Sequence, residues 1–121
     1  MVTKKNVMKL SEQQHIFTAN IGLLITWAFS KDYKLTFGEA RRTELQAKAN
    51  AAKGIGISNS LHRISLAVDL NLFIDGVYMQ DTPAYKPLGV FWKRLHPDNR
   101  WGGDFAKADG NHFSMTRDGV S

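Results

Sequence analysis

The chain has 121 residues and no cysteine. That excludes a disulfide scaffold and any thiolate metal site, so a metal would have to be held by His and Asp or Glu. The compartment stays open, because a chain without thiols tolerates any redox poise. A bilayer-spanning run is also missing. The apolar stretch from Ile16 to Phe29 is broken by Thr18, Asn20 and Thr26 and reads as a core helix, so no stable membrane insertion is expected. Met1-Val2-Thr3-Lys4-Lys5 begins like a signal peptide, but no apolar segment follows directly. The net charge is +5, yet Lys and Arg stand side by side only as the doublets Lys4-Lys5, Arg41-Arg42 and Lys93-Arg94, with no longer run. The excess therefore suits an anionic polymer in general, with no nucleic-acid signature. There are no repeats and no low-complexity tracts.

What is present is a globular composition, 43% hydrophobic and 22% charged, in a length that fits one domain over residues 1–121. Ser11-Glu12-Gln13-Gln14 is a capping-box pattern, and it predicts a helix to about Ser30 with Ile16, Phe17, Leu23, Leu24, Trp27 and Ala28 buried. Tyr33–Phe37 and Leu66–Phe73 alternate like strands. In the second, Leu66, Val68, Leu70 and Leu72 form the apolar face, and Asp69 and Asn71 the polar one. Thr43-Glu44-Leu45-Gln46 opens an Ala-rich helix from Leu45 to Lys53, and residues 54–59 form a loop. Asp75-Gly76 is a turn leading to Val77-Tyr78. Asp81-Thr82-Pro83 starts a helix carrying Leu88, Phe91, Trp92 and Leu95, which Pro97 ends. Asp98 to Gly110 reads as loop, and His112-Phe113-Ser114-Met115 as a short strand. Helices first and short strands after predict an α+β fold.

Two segments carry the chemistry: Ser60 to Asp69, and Asp109-Gly110-Asn111-His112. They supply two imidazoles and a carboxylate, with a second carboxylate three residues before the last imidazole. That is the inventory of a catalytic zinc centre with an open position and an acid to work on water. His62 and Asp69 cannot share one metal from a straight helix, where they would lie two turns apart, nor from one regular strand, where an odd spacing puts them on opposite faces. The chain must bend between them.

These residues resemble the zinc peptidases that cut peptidoglycan stem peptides: D-alanyl-D-alanine carboxypeptidases and dipeptidases, and phage endolysins that are L-alanyl-D-glutamate endopeptidases. The pattern Ser-x-His-x6-Asp with acid-x-x-His reads here as Ser60, His62, Asp69, Asp109 and His112. Text of the phage branch also stands at Phe37-Gly38-Glu39-Ala40, Asn59-Ser60-Leu61-His62, Asp69-Leu70-Asn71-Leu72-Phe73, Arg100-Trp101-Gly102-Gly103 and Asp109-Gly110-Asn111-His112-Phe113. The likeness covers Ser11 to Met115. It implies a small antiparallel sheet carrying the zinc site and flanked by helices, of the Hedgehog/D-Ala-D-Ala peptidase-like kind. It implies His62, Asp69 and His112 as zinc ligands and Asp109 as general base. It places Arg42 near the scissile carbonyl, and Ser60 and Trp101 at the substrate. Ser65 stands where the family often has Gly, Arg41 where it often has an aromatic, and Asp109 where many members have Glu.

Taken further, the resemblance implies a phage endolysin hydrolysing the L-Ala–D-Glu bond of the peptidoglycan stem peptide. It would be a monomer without a separate cell-wall-binding domain, made in the host cytoplasm without a signal peptide and acting on the wall after release. Two other readings stand beside it: a D-alanyl-D-alanine carboxypeptidase, and a non-catalytic basic module adhering to an anionic envelope polymer. Simpler roles also exist for single residues. Asp109 is a good turn former before Gly, Arg42 could be a solvated charge, and Trp101 could be core. Asp98 and Asp104 could hold a second ion or merely face solvent. His15 and His96 read as surface or satisfied residues.

Overall fold

A computed structural model of the chain describes residues 8–38 and 61–121. The predicted helix Leu45–Lys53, the 54–59 loop, Arg42 and Ser60 lie outside the described residues. Helix α1 spans Leu10–Ser30 and strand β1 Lys34–Phe37. A short 3-10 turn, Leu61–Ile64, leads into the long strand β2, Ala67–Ile74, and the hairpin strand β3, Val77–Met79. A second 3-10 turn, Thr82–Tyr85, runs into helix α2, Lys86–Leu95. Strand β4, Asn99–Trp101, a 3-10 turn, Gly102–Asp104, and strand β5, His112–Met115, complete the domain.

The strands form one antiparallel sheet in the order β1-β2-β5-β4, with β3 also on β2. Strand β2 is central because its alternation leaves an apolar face to bury: Val68, Leu70 and Leu72 are all enclosed. Both helices pack on the core that this face lines. Trp92 of α2 is fully buried, edge-on to Phe17 of α1 at 5.6 Å and to Phe113 of β5 at 6.1 Å. Its indole N–H donates to the carbonyls of Arg100 and Ser114, and the Asn99 side chain donates back to the Trp92 carbonyl. One residue thus ties helix α2 to strands β4 and β5. The Asp75-Gly76 turn has φ of 51° and 79°, the conformation a tight two-residue hairpin needs.

Three expectations need correction. The box at the start of α1 involves Lys9 and Glu12, not Ser11 and Gln14: the Lys9 backbone N–H donates to Glu12 Oε1. Gln14 turns inward and its amide donates to the Ile64 carbonyl at 2.6 Å. Leu23 is 53% exposed, and Gln13, Asn20 and Ile21 line the buried face instead. Gln13 can be buried because it has partners, donating to the Thr116 carbonyl and accepting from Arg117. Finally, the segment from Asp98 to Gly110 is not all loop, since it contains β4, whose three residues are too few to show a period.

Candidate metal centre

Asp69 and His112 are paired directly across β2 and β5. Residues opposite each other on neighbouring strands project to the same face, with Cβ atoms about 5 Å apart. The sheet register alone therefore brings a carboxylate and an imidazole together. The ladder continues on either side: Gly38 N–H donates to the Asp69 carbonyl at 2.7 Å, and Leu70 N–H to the Asn111 carbonyl at 2.9 Å. The side chains of Asn71 and Asn111 meet at 3.3 Å beside the pair.

His62 reaches the same point from the Leu61–Ile64 turn. The required bend is at Ser65, with φ of 57°. Leu66 N–H donates to the Leu61 carbonyl at 3.0 Å, and Ser65 N–H toward the His62 carbonyl at 3.4 Å. This double closure around a left-handed residue is the Schellman helix end, where glycine is the usual occupant. The turn reverses the chain within three residues, so His62 faces Asp69 although seven positions separate them.

One ligand atom from each of His62, Asp69 and His112 lies within 4.8 Å of the others. Asp69 Oδ1 is 3.5 Å from His62 Nε2 and 3.5 Å from His112 Nδ1. These separations are long for a hydrogen bond, and the buried Oδ1 has no hydrogen-bond partner. They fit ligands sharing one ion, because two donors about 2.05 Å from a tetrahedral metal stand roughly 3.3–3.4 Å apart. The donor set, the spacing and the orphaned oxygen together fit a zinc ion held by His62, Asp69 and His112. Burial pushes the Asp69 carboxyl up, but the two imidazoles outweigh it and hold the group at about 2. It is an anion throughout the physiological range.

Asp109 opens the turn that delivers His112, whose N–H donates to the Asp109 carbonyl at 3.1 Å. Its carboxyl is pushed above the usual carboxylate range, first by burial and then by the negative charge of Asp69, against the pull of the two imidazoles. It is partly exposed and lines a polar cavity of about 230 Å³ with Tyr78, Gln80, Thr82 and Asn111 among others. A larger groove of about 520 Å³ lies between Trp27, Phe91 and Arg94 and holds none of the ligand cluster, so size does not locate the site.

One neighbour of the site was not predicted, and a second, Gly102, was marked only as part of the Arg100-Trp101-Gly102-Gly103 text. Phe105 packs its ring against His112 at 5.5 Å, and no sequence signal marks it. Gly102 lies under the turn so closely that a Cβ there would meet the Asp109 carbonyl oxygen at 2.1 Å. Trp101, expected at the substrate, is only 5% exposed, and its indole N–H donates to the Gly110 carbonyl at 2.7 Å. Asp104 accepts from Lys93 at 2.6 Å in an exposed ion pair. His15 is exposed, and His96 Nδ1 accepts from Asp98 N–H.

An antiparallel sheet presenting a His-Asp-His cluster, with an acid on the turn before the last ligand, defines a metallopeptidase-type centre. The D-alanyl-D-alanine carboxypeptidase family profile matches residues 53–115, just over half of the chain, and the chain belongs to that family. No curated protein matches it significantly. Among solved structures, it is similar to the L-Ala D-Glu endopeptidase ChiX of Serratia marcescens. That match has a TM-score of 0.70 over 91% of this chain and 88% of that one, at 20% identity. It is also similar to a zinc-bound variant of the vancomycin-resistance D,D-pentapeptidase VanY, with a TM-score of 0.58 over 82% and 70% of the two chains at 16% identity.

Proposed function

We propose that this chain is a zinc endopeptidase that hydrolyses the L-Ala–D-Glu bond of peptidoglycan stem peptides, and that it serves as a phage endolysin. The observation that carries this reading is the meeting of His62, Asp69 and His112 within 4.8 Å, with Asp109 three residues before the last ligand. Zinc held there would supply a Lewis acid for the scissile carbonyl and lower the pKa of water. Asp109 takes the proton from the attacking water and delivers it to the leaving amine. Burial and the Asp69 charge push its carboxyl above the ordinary carboxylate range, the direction that suits a group which must both take and return a proton. The polar cavity beside Asp109 gives the flanking peptide a seat. Arg42 is assigned to the charge developing on the carbonyl oxygen and Ser60 to the substrate.

The likeness to an L-Ala D-Glu endopeptidase supports the choice of bond, as does the phage-type text around the ligands. The excess of cations suits a carboxylate-rich substrate. The enzyme acts as a monomer at the cell wall, reached after release from the cytoplasm where it is made. No helix of the described residues is long and apolar enough to cross a membrane. The family description, with the VanY likeness, favours one second reading: release of the terminal D-Ala. Mass spectrometry of digested muropeptides separates them. Muramyl-L-Ala fragments and peptides with a free D-Glu amine support the endopeptidase. Loss of single D-Ala with the L-Ala–D-Glu bond intact overturns it.

A further inference from the structure

Trp101 is flanked closely by two glycines. A Cβ at Gly89, on the middle of α2, would lie 2.2 Å from the indole ring, and a Cβ at Gly103 would also lie 2.2 Å from it. The ring thus fills space that any other residue at either position would occupy. Glycine inside a helix is costly relative to alanine, so its presence at Gly89 calls for a packing reason, and the Trp101 ring supplies one. The indole N–H is aimed at one acceptor, the Gly110 carbonyl, at 2.7 Å in a buried setting. Gly110 is the second residue of the Asp109-Gly110-Asn111-His112 turn. The same turn is held from below by Gly102, whose carbonyl accepts from Asp109 N–H at 2.9 Å.

We infer that Trp101 is a positioning residue: clamped between Gly89 and Gly103, it fixes through its indole N–H the turn that carries both the base Asp109 and the ligand His112. The inference rests on the zinc peptidase reading for its catalytic consequence, though not for its structural one. It assigns Trp101 no contact with substrate. It also gives Arg100-Trp101-Gly102-Gly103 one job, since the indole holds the turn, Gly102 admits its backbone, and Gly103 admits the indole.

The test compares three variants. Trp101→Phe keeps a ring in the clamp and removes the donor. Gly89→Ala keeps the donor and displaces the ring. Trp92→Phe removes a different buried indole donor, one that serves the core and not the turn. The first readout is amide hydrogen exchange in the metal-free chain. Trp101→Phe and Gly89→Ala should speed exchange at Asp109 and His112, while Trp92→Phe should not single them out. The second is turnover of the zinc-loaded protein on stem peptide. The two clamp variants should lose about 10–100-fold in kcat with KM within about twofold, the signature of a misplaced catalytic group. Their effects in the double variant should be less than multiplicative, because both act through one ring. Unchanged exchange at Asp109 and His112, or equal kcat losses for Trp92→Phe and Trp101→Phe, would overturn the inference. A rise in KM alone would return Trp101 to the substrate. If the wild-type chain hydrolyses no stem peptide, the functional reading fails while the exchange result still decides the clamp.

Discussion

Replacing Gly102 by alanine tests how tightly the metal centre is built. In most helical turns the change is mild or favourable. At Gly102 the new Cβ would lie 2.1 Å from the Asp109 carbonyl oxygen and 2.8 Å from His112 Cβ. Carbon–oxygen contacts rarely fall below about 3.3 Å, so the turn must retreat by roughly 1 Å. Both obstructing atoms belong to backbone or to a Cβ, and neither can swing aside as a side-chain tip would. Zinc–ligand distances tolerate only about 0.2 Å, so a shift of this size takes His112 out of coordination range. Overpacking of this kind costs about 1–3 kcal/mol of stability. A displacement near 1 Å at a reacting group costs about 100-fold in rate. Gly22 is the control, since it lies on the exposed side of α1 and a Cβ there would meet nothing within 4 Å. Gly22→Ala should raise stability by about 0.5–1 kcal/mol through helix propensity. Zinc content by elemental analysis, thermal melting with and without chelator, and turnover on stem peptide are measured on both. Gly102→Ala with one zinc per chain and wild-type turnover would refute the account of the turn.

Ser65→Gly should stabilise the chain by about 0.5–1 kcal/mol, because a left-handed residue costs about 1–2 kcal/mol and glycine's larger unfolded entropy returns part of it; a lower denaturation midpoint would count against the strain seen at φ 57°. Asp109→Asn should keep zinc and fold while turnover falls about 10²–10⁴-fold; wild-type turnover would mean that another group is the base. In the metal-free chain Asp69 lies at about 2 against an ordinary 3.8, so the folded form holds its proton more weakly than the unfolded one. Its contribution, about 2 kcal/mol, is present above roughly pH 4 and disappears as pH falls toward about 2. Unfolding free energy should therefore fall more steeply over that window in the wild type than in Asp69→Asn, and parallel curves would contradict it.

The His62-Asp69-His112 cluster was legible because each member sits in a short, strongly patterned segment. The alternation from Leu66 to Leu72 puts Asp69 on the polar ledge of a strand, and the structure agrees. The need for a bend between His62 and Asp69 followed from spacing alone, and the bend is at Ser65. What was not legible depends on partners distant in sequence. Gln13 is buried because Thr116 and Arg117 come back to meet α1, which no periodicity within α1 records. Strand β4 exists through its pairing with β5, with only three residues of its own. Gly89 offered a weak signal, a glycine inside an amphipathic helix, but its ring-sized reason lies on another element.

The three residues of the cluster are not held equally. Asp69 and His112 are opposite each other in a ladder of backbone hydrogen bonds, none of which involves a metal. His62 rides on one 3-10 turn, closed by a strained Ser65 and braced by the Gln14 amide on the Ile64 carbonyl. Two of the three residues are therefore fixed by the sheet, and any ordering on metal binding is expected to concentrate in the His62 turn. A ligand that binds only the folded form stabilises it by about 4 kcal/mol at a thousandfold excess over Kd, and that gain appears first where local opening is easiest. Leu66 N–H, which closes the His62 turn on the Leu61 carbonyl, should slow its hydrogen exchange more on adding zinc than Leu70 N–H, which is already in the ladder with Asn111. Equal slowing at both amides would show a site that opens only with the whole domain. Greater slowing at Leu70 would show that the sheet, and not the turn, is the part zinc completes.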